Sequence, residues 1–462
     1  MIRLLLSTST KLTEWDIVAK KINSNKKTNV VGQISPHSGR VQSKDWVFIN
    51  SNDLDHEYLR NVCRKGKGNT IEGIESKAIV KGLLNRDIWK YLAEEYQKVF
   101  KYFVKKWISV IQSTKPDIVV FDGTPHLIFD YALYWVAKKK EIRTILFSSI
   151  PETNYIFTRD SIFYDEDADK RLFPEAIDKK KPPKEIKDII TNKKKNYKKG
   201  KPKYKKEKED NIPKSYPKLE NVFKFLLSSL YRPKLVTKYI TDKVSHRKFW
   251  IKKRKKYKQL SITPALDSEY IYIPLHFQPE RTTSPEGGKF VNQIKLIRLI
   301  RKANREKTKL YVKEHPSQFR LRNGWLGRSN NYYEQILHID DTRLISLDAD
   351  PFDLIDNAKC VISVAGTSSL EAIVRGTPAS ISGYPWYYPG MMYHTRDYRS
   401  MSKFLEEALH NMELSKSRLF SFLHSIIEVS LRGYTKRAHR TDQVSKAECV
   451  DNIFKLIYKE IN

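Results

Sequence analysis

The chain has 462 residues, and its 86 Lys and Arg against 53 Asp and Glu give a formal net charge of +33 at pH 7. Apolar residues make up 40% of the sequence and aromatic residues 12%, which excludes wholesale disorder and predicts a sizeable core. The three scattered cysteines argue against a disulfide scaffold or a structural zinc site, and no apolar run is long enough for a membrane span. We therefore expect a soluble protein of the cytoplasm.

The N-terminal half alternates short apolar strands with longer helices. The predicted elements are strand Ile2–Ser7, helix Glu14–Ile22, a helix within Arg86–Ile111, strand Asp117–Phe121, helix His126–Lys138 and strand Thr144–Ser148. Long helices between buried strands are typical of parallel βαβ units. We therefore predict one doubly wound, Rossmann-like domain over residues 1–262.

A lysine-rich insert, about residues 176–215, interrupts this domain. Lys179–Glu209 holds fifteen lysines against four acidic residues, together with three prolines and a glycine. We expect it to be poorly ordered and outside the active site. It could be a solvated loop, could attract an anionic membrane surface or a lipid-linked acceptor, or could bind nucleic acid, although no nucleic-acid-binding motif accompanies the charge.

The second half repeats the alternation more clearly. The predicted elements are strand Tyr270–Leu275, helix Val291–Ala303, strands Lys309–Lys313 and Thr342–Leu347, a helix opening at Pro351, strand Cys360–Val364, helix Ser368–Arg375 and strand Pro378–Ser382. This pattern predicts a second Rossmann-like domain over residues 263–400. Trailing helices follow in residues 401–462.

Polar segments follow three strands of this second domain, and parallel sheets bind ligands at such strand ends. Val364–Glu371 offers small residues, hydroxyl groups and a helix start that suit a phosphate, or it is a plain Ser/Thr N-cap with a capping box. Lys313–Pro316 places a histidine at the sheet edge, where it is either structural or a phosphate donor. His276–Glu280 is a polar loop or an ordinary connection.

These three segments, with Arg375–Pro378 and Gly383–Tyr387, resemble the bacterial capsule polysaccharide biosynthesis family, which includes the Kdo transferases. The resemblance implies the GT-B fold, an α/β architecture of two Rossmann-like, doubly wound domains facing a cleft, with C-terminal helices crossing back. The chain is also similar in outline to GT-B sialyltransferases. Their motifs are matched in order by Asp122-Gly123, His315-Pro316 and Ser368-Ser369, although Phe121 stands where they have a first acidic residue.

The resemblance implies an inverting glycosyltransferase that uses a nucleotide-sugar, with CMP-Kdo or a similar CMP-sugar favoured, and a polysaccharide or lipid-linked acceptor. Asp122 would be the base, His315 would bind the phosphate and Glu371 would accept from the ribose. The implied nucleotide-sugar site comprises Gln278, Lys313, His315, Pro316, Gly366, Thr367, Ser368, Ser369 and Glu371, and the further acceptor-side or base candidates are His126, Glu152 and Glu280.

We expect no cofactor and no required metal. Asp348 and Asp350 form one Asp-x-Asp pair, but Asp350 precedes Pro351 and is interpreted as a helix N-cap. The acidic run Asp165–Asp169 follows no predicted strand and is interpreted as surface.

Three other classes of function stay open. A sugar-nucleotide 2-epimerase would convert the donor without an acceptor, and a teichoic-acid-type polyol-phosphate transferase would prefer a CDP-polyol. A non-enzymatic binder of nucleic acid or of an anionic surface would show steeply salt-dependent binding that survives the loss of His315.

Overall fold

The computed structural model describes residues 1–8, 14–35, 47–50, 96–164, 181–198, 251–319, 327–410, 416–435 and 443–462. They form two compact units, each with its own sheet. Described residues of the first unit lie within 1–164 and 424–462, and those of the second lie within 181–423. In these ranges no helix is both long and apolar enough to cross a membrane.

The first unit begins with alternating strands and helices. In chain order these are β1 (Ile2–Ser7), α1 (Glu14–Asn23), β2 (Thr28–Ser35), β3 (Val47–Asn50), α2 (Tyr96–Thr114), β4 (Ile118–Phe121), α3 (Ile128–Lys139), β5 (Arg143–Ser149) and β6 (Tyr155–Arg159). Parallel strands run in the order β5-β4-β1-β2-β3, and β6 pairs antiparallel with β5. The parallel strands have the order of a doubly wound sheet, as the alternation predicts.

Helix α1 covers one face of this sheet because its apolar residues recur every three or four positions. Trp15, Val18 and Ile22 are buried in one cluster with Leu4 of β1 and Val120 of β4. Burial of such side chains contributes roughly 1.5–3 kcal/mol each. The helix is therefore held by its apolar stripe rather than by its polar face.

The second unit contains a parallel sheet and the helices around it. In chain order they are α4 (Lys184–Lys198), helical residues 251–260, β7 (Ser261–Ile262), β8 (Tyr270–Pro274), α5 (Gln293–Ala303), β9 (Lys309–Lys313), α6 (Tyr332–Leu337), β10 (Thr342–Ile345), α7 (Pro351–Asp356), β11 (Cys360–Ser363), α8 (Thr367–Arg375), β12 (Ala379–Ile381) and α9 (Tyr398–Leu409). The sheet order is β12-β11-β8-β9-β10-β7. The fold class predicted from the sequence, α/β with two Rossmann-like units, is confirmed.

Strands β8 and β11 lie side by side, although the chain passes through β9 and β10 between them. The connections after β8 and β11 leave in opposite directions along the sheet. A crevice forms at the carboxyl ends of two such strands, where doubly wound folds bind their ligands. The loops that begin at Leu275 and Val364 therefore border this crevice.

Helix α7 begins at Pro351 and helix α8 ends at Arg375, as the sequence predicts, although α8 begins one residue earlier than predicted, at Thr367. Asp350 is the N-cap of α7, because its Oδ1 accepts from the N–H of Phe352 at 2.8 Å, as expected. The C-cap of α8 is Gly376, which has φ +107° and so occupies the left-handed region that favours glycine.

The described part of the lysine-rich insert, residues 181–198, contains helix α4, so the expectation of a poorly ordered segment is wrong for Lys184–Lys198. Ile186 and Ile190, one helical turn apart, are 4% and 5% exposed and anchor α4 to the second unit. Six of the other residues of α4 are lysines, so the overall composition of the segment does not reveal this short apolar stripe. Residues 176–180 and 199–215 of the insert lie outside the described residues.

The C-terminal segment adds α10 (Ser417–Val429), β13 (Leu431–Arg432) and α11 (Lys446–Ile461). Strand β13 pairs antiparallel with β6, and α11 packs against α1. The boundaries between the two compact units therefore differ from the predicted domain boundaries at residues 262 and 400. Helical residues 251–260 join the second unit through buried Tyr257, whereas residues from His424 onward join the first.

Candidate active site

His276 follows β8 and reaches across to the loop after β11. Its Nε2 accepts from the backbone N–H groups of Val364 and Ala365 at 3.0 and 3.1 Å. Burial, followed by the charges of His315 and Arg328, lowers the pKa of His276 to about 3. A neutral ring whose Nε2 accepts two hydrogen bonds carries its proton on Nδ1, so Nδ1 is a donor at the crevice.

Gly366 lies against this ring. A Cβ atom at this position would stand 2.3 Å from Cε1 and 2.8 Å from Nδ1 of His276, so no other residue fits without displacing the ring. Gly366 is also the N-cap of α8, and it contributes no side chain to satisfy the first N–H groups of that helix. The alternative of a Ser or Thr N-cap is therefore wrong, and the first N–H groups of α8 lie at the crevice.

The three hydroxyl residues of the first turn of α8 have different surroundings. Ser369 is fully buried, and its Oγ donates to the carbonyl of Ser380 at 2.9 Å and bonds Ser363 Oγ at 2.7 Å. Thr367 and Ser368 are half-buried. The side chain of Ser369 thus fixes α8 to the sheet, and only Thr367 and Ser368 present hydroxyl groups near the surface.

His315 follows β9 and is neutral as well. Burial lowers its pKa to about 4, although Glu314 opposes this shift. Its Nδ1 accepts from the N–H of Ser317 at 3.2 Å, in the 3-10 turn Pro316–Phe319. The proton of the neutral ring is therefore on Nε2, which can donate to an anion.

A buried ion pair supports both histidine loops. Arg328 donates from Nε and Nη2 to the two carboxylate oxygens of Glu314 at 2.7 and 2.9 Å. Its Nη2 also donates to the carbonyl of His276 at 2.8 Å, while the N–H of His315 donates to Glu314 at 2.8 Å. Glu314 and Arg328 were not predicted as site residues, because no local pattern links positions fourteen residues apart.

Gln278, a predicted site residue, belongs to this same supporting network. Its Oε1 accepts from Arg328, and its Nε2 donates to the carbonyl of Val291 at 2.5 Å. Its backbone N–H donates to Gln318 Oε1 at 2.9 Å. The amide therefore fixes the loop after β8, and both ends of the side chain are already bonded.

Lys313, at the end of β9, is 4% exposed. Burial lowers its pKa to about 8, although Asp348, Glu314 and Asp350 oppose the shift.

Among the described residues, no three His, Cys, Asp or Glu side chains are grouped to hold a metal ion. The expectation of metal-free chemistry stays a prediction.

Glu371 is in the second turn of α8, close to the half-buried hydroxyls. Its Oε1 accepts from Thr367 Oγ1 at 3.0 Å and from Lys193 Nζ of α4, also at 3.0 Å. Its side chain is 10% exposed. The lysine-rich insert therefore reaches a predicted ribose-binding residue, contrary to the expectation that it lies away from the site.

The predicted base, Asp122, directly follows β4 of the first unit and is 2% exposed. Nearby Asp130 accepts from the N–H of Leu127 at 2.6 Å, and burial, with the charge of Asp122, raises the pKa of Asp130 to about 8. His126 Nδ1 bonds the carbonyl of Thr124 at 2.7 Å. Burial and the charge of Asp122 thus favour the protonated form of Asp130 at neutral pH.

The two remaining candidates are placed less specifically. Glu152 has φ +64° in the turn between β5 and β6 of the first unit. Glu280 is exposed in the second unit, where its Oε2 accepts from Thr282 Oγ1 at 3.2 Å.

Comparison with solved structures gives matches of low identity over nearly the whole chain. The KpsC β-Kdo 2,7-transferase of Thermosulfurimonas dismutans is 10% identical, with 99% of this chain and 100% of that chain covered and a TM-score of 0.32. The UDP complex of MnaA from S. aureus is 12% identical, with 92% and 91% covered and a TM-score of 0.25. The UDP-GlcNAc 2-epimerase of Neisseria meningitidis is 11% identical, with 100% and 99% covered and a TM-score of 0.25.

No curated protein sequence matches the chain. Residues 281–428, which include the His-Pro turn and the loop before α8, match the family of capsule polysaccharide biosynthesis proteins. The resemblance that the motifs indicate is therefore confirmed: over residues 281–428 this chain carries the sequence pattern of the capsule polysaccharide biosynthesis family.

Proposed function

We propose that the chain is an inverting glycosyltransferase that transfers a sugar from a nucleotide-sugar, with CMP-Kdo or a similar CMP-sugar as the leading donor, to a growing surface polysaccharide or glycolipid. The observation that carries this proposal is the set of neutral donors at one edge of the second sheet. His276 Nδ1, His315 Nε2 and the first N–H groups of α8 are hydrogen-bond donors without a formal positive charge. Such a set suits a phosphate.

In the proposed reaction, the acceptor oxygen attacks the anomeric carbon while the bond from that carbon to the donor phosphate breaks. A carboxylate, Asp122, takes the proton of the acceptor hydroxyl. The negative charge that develops on the departing phosphate is stabilised by the histidine donors and by α8. Asp130 supports this role, because a protonated neighbour adds no second negative charge beside Asp122.

The first test is a thermal-shift panel with CMP, UDP, GDP and CDP, since a ligand stabilises the state that binds it. We expect CMP to give the largest shift. Product analysis with the donor alone then separates a transferase from an epimerase, and a preference for a CDP-polyol would favour the polyol-phosphate transferase instead.

Two variants test the residue assignments. Asp122→Asn should retain CMP binding and lower transfer by roughly 10²–10⁴-fold, because it removes the proton acceptor. His315→Ala should weaken both, because it removes a phosphate contact. His338→Ala is the matched control, since that ring is exposed in the same unit. Full activity of Asp122→Asn would move the base to Glu280 or Glu152.

We also propose that the basic surface of the second unit attracts the enzyme to an anionic membrane. Lys184, Lys187 and Lys195 of α4 are exposed, as is Lys252 in the helical residues 251–260. Basic residues near such a surface contribute about 1 kcal/mol each at low salt. Charge reversal of Lys184 and Lys195 should weaken binding to vesicles containing phosphatidylserine while leaving turnover of a water-soluble acceptor unchanged. Unaltered vesicle binding would contradict the proposal.

A further inference from the structure

Two donors converge on a single oxygen of Glu371. Lys193 Nζ and Thr367 Oγ1 each lie 3.0 Å from Oε1. Within the described part of the chain, no donor is bonded to Oε2. One carboxylate oxygen is therefore fixed, and the other keeps its capacity to accept.

The lysine is held in place by the helix that carries it. Ile186 and Ile190 anchor α4 through buried side chains, and Lys194 Nζ pairs with Asp356 Oδ2 of α7 at 2.8 Å. Asp356 also accepts from Arg375 Nε at 2.6 Å. Partial burial would raise the pKa of Asp356, but the bonds from Arg375 and Lys194 outweigh it and hold this pKa below its ordinary value. Adjacent lysines thus bind different helices, Lys193 at α8 and Lys194 at α7.

The environment of the contact with Lys193 favours a fixed geometry. The Glu371 side chain is 10% exposed and that of Lys193 is 26% exposed, so water competes weakly for the carboxylate. A glutamate held in one orientation loses less conformational freedom when a ligand binds to it. Thr367 joins this contact from the first turn of α8, next to the proposed phosphate site.

We propose that Lys193 is a positioning residue for ribose recognition: with Thr367 it fixes Oε1 of Glu371, so that Oε2 accepts from the vicinal hydroxyl groups of a ribonucleotide. This inference rests on the proposed nucleotide-sugar function. It assigns to the lysine-rich insert a role in selecting ribonucleotides, in addition to any surface attraction. A 2′-deoxyribonucleotide lacks one of these two donors, and a 2′,3′-dideoxyribonucleotide lacks both and is discriminated against most strongly.

The test measures CMP binding by calorimetry for the full chain and for Lys193→Met, Lys193→Arg and Lys194→Met. We expect Lys193→Met to weaken CMP by roughly five- to tenfold, the cost of ordering one flexible side chain. Lys193→Arg should recover part of the affinity. Lys194→Met, the matched control, removes a neighbouring ion pair of the same helix and should change CMP affinity less than twofold.

A second ligand separates positioning from a structural role. The affinity for 2′,3′-dideoxy-CMP should be low in the wild type and should not change in Lys193→Met, because that ligand offers Oε2 no hydroxyl. In a Glu371→Gln background, Lys193→Met should add little. In steady-state transfer, Lys193→Met should raise the donor KM and leave kcat nearly unchanged.

Each contrary outcome has its own meaning. If Lys193→Met and Lys194→Met weaken CMP binding equally, the contact of Lys193 serves only to dock the helix. If Lys193→Met weakens the binding of CMP and of its dideoxy analogue equally, Lys193 acts on the phosphate rather than on the ribose. Either result overturns the inference while leaving the proposed function intact. If the wild type binds none of CMP, UDP, GDP and CDP, the proposed function fails, and the inference fails with it.

Discussion

Replacement of Arg328 by Met exposes the energetic role of the buried ion pair. The side chains of Arg328 and Glu314 are 1% and 0% exposed. Without the guanidinium, the donors to the Glu314 carboxylate that remain among the described residues are the Tyr333 hydroxyl at 2.9 Å and the His315 N–H at 2.8 Å. Removing one partner of a buried pair costs about 3–5 kcal/mol. We therefore expect the free energy of unfolding of the second unit to fall by that amount.

Urea unfolding and calorimetry measure this loss. For a domain of this size class, each kcal/mol lowers Tm by about 2–4 °C, so Arg328→Met should lower the transition of the second unit by about 6–20 °C. The control is Arg298→Met on the exposed face of α5, for which we expect a change within about 0.5 kcal/mol.

The double variant Glu314→Met, Arg328→Met distinguishes a lost charge pair from lost packing. Because neither charge is left unpaired, it should be less destabilised than the sum of the two single variants. If Arg328→Met loses less than about 1 kcal/mol, as an exposed ion pair would, the burial argument is refuted. Strict additivity of the two single variants would refute it equally.

Three further outcomes are expected. Burial lowers the pKa of His276 and His315 to about 3 and 4, whereas both side chains have their ordinary pKa of about 6.5 in the unfolded chain. As the pH decreases from about 6.5 to 4, the unfolded chain therefore binds these protons before the folded protein does, and Tm should fall. The variant His276→Gln should make Tm less dependent on pH in this range. Gly366→Ala should lower Tm and CMP affinity through its collision with His276, whereas Gly123→Ala, which meets open space, should leave Tm unchanged. Asp350→Ala should cost about 1 kcal/mol in urea unfolding, and Asp350→Asn much less.

The sequence predicts the second sheet well, because its strands are short apolar runs with turn residues on either side. Lys309–Lys313 is predicted to the residue, and the strand at Cys360 to within one residue. Strand β2 (Thr28–Ser35) is missed, since Asn29, Gly32 and Gln33 interrupt its apolar pattern. Strand β13 has two residues, too few for any periodicity.

The sequence likewise predicts some residues of the candidate site and misses others. His315 and Gly366 are found because each lies two or three residues after the end of a strand, where the local sequence predicts a ligand-binding edge. Arg328 is missed because its partner is distant in sequence and its burial depends on the tertiary fold. Lys193 is missed because a run of lysines has no local feature that selects the one facing Glu371.

The first unit is assembled from both ends of the chain, and this has a consequence for its synthesis. The hydroxyl of Tyr434 donates to Glu14 at 2.9 Å, across 420 positions of sequence, and α11 packs on α1. At translation rates of 5–20 residues per second, α1 waits roughly 20–90 seconds before its partner leaves the ribosome. During that interval the described part of the second unit, which lies within residues 181–423, can already fold, while the apolar surface of α1 that α11 later covers stays exposed and prone to aggregation.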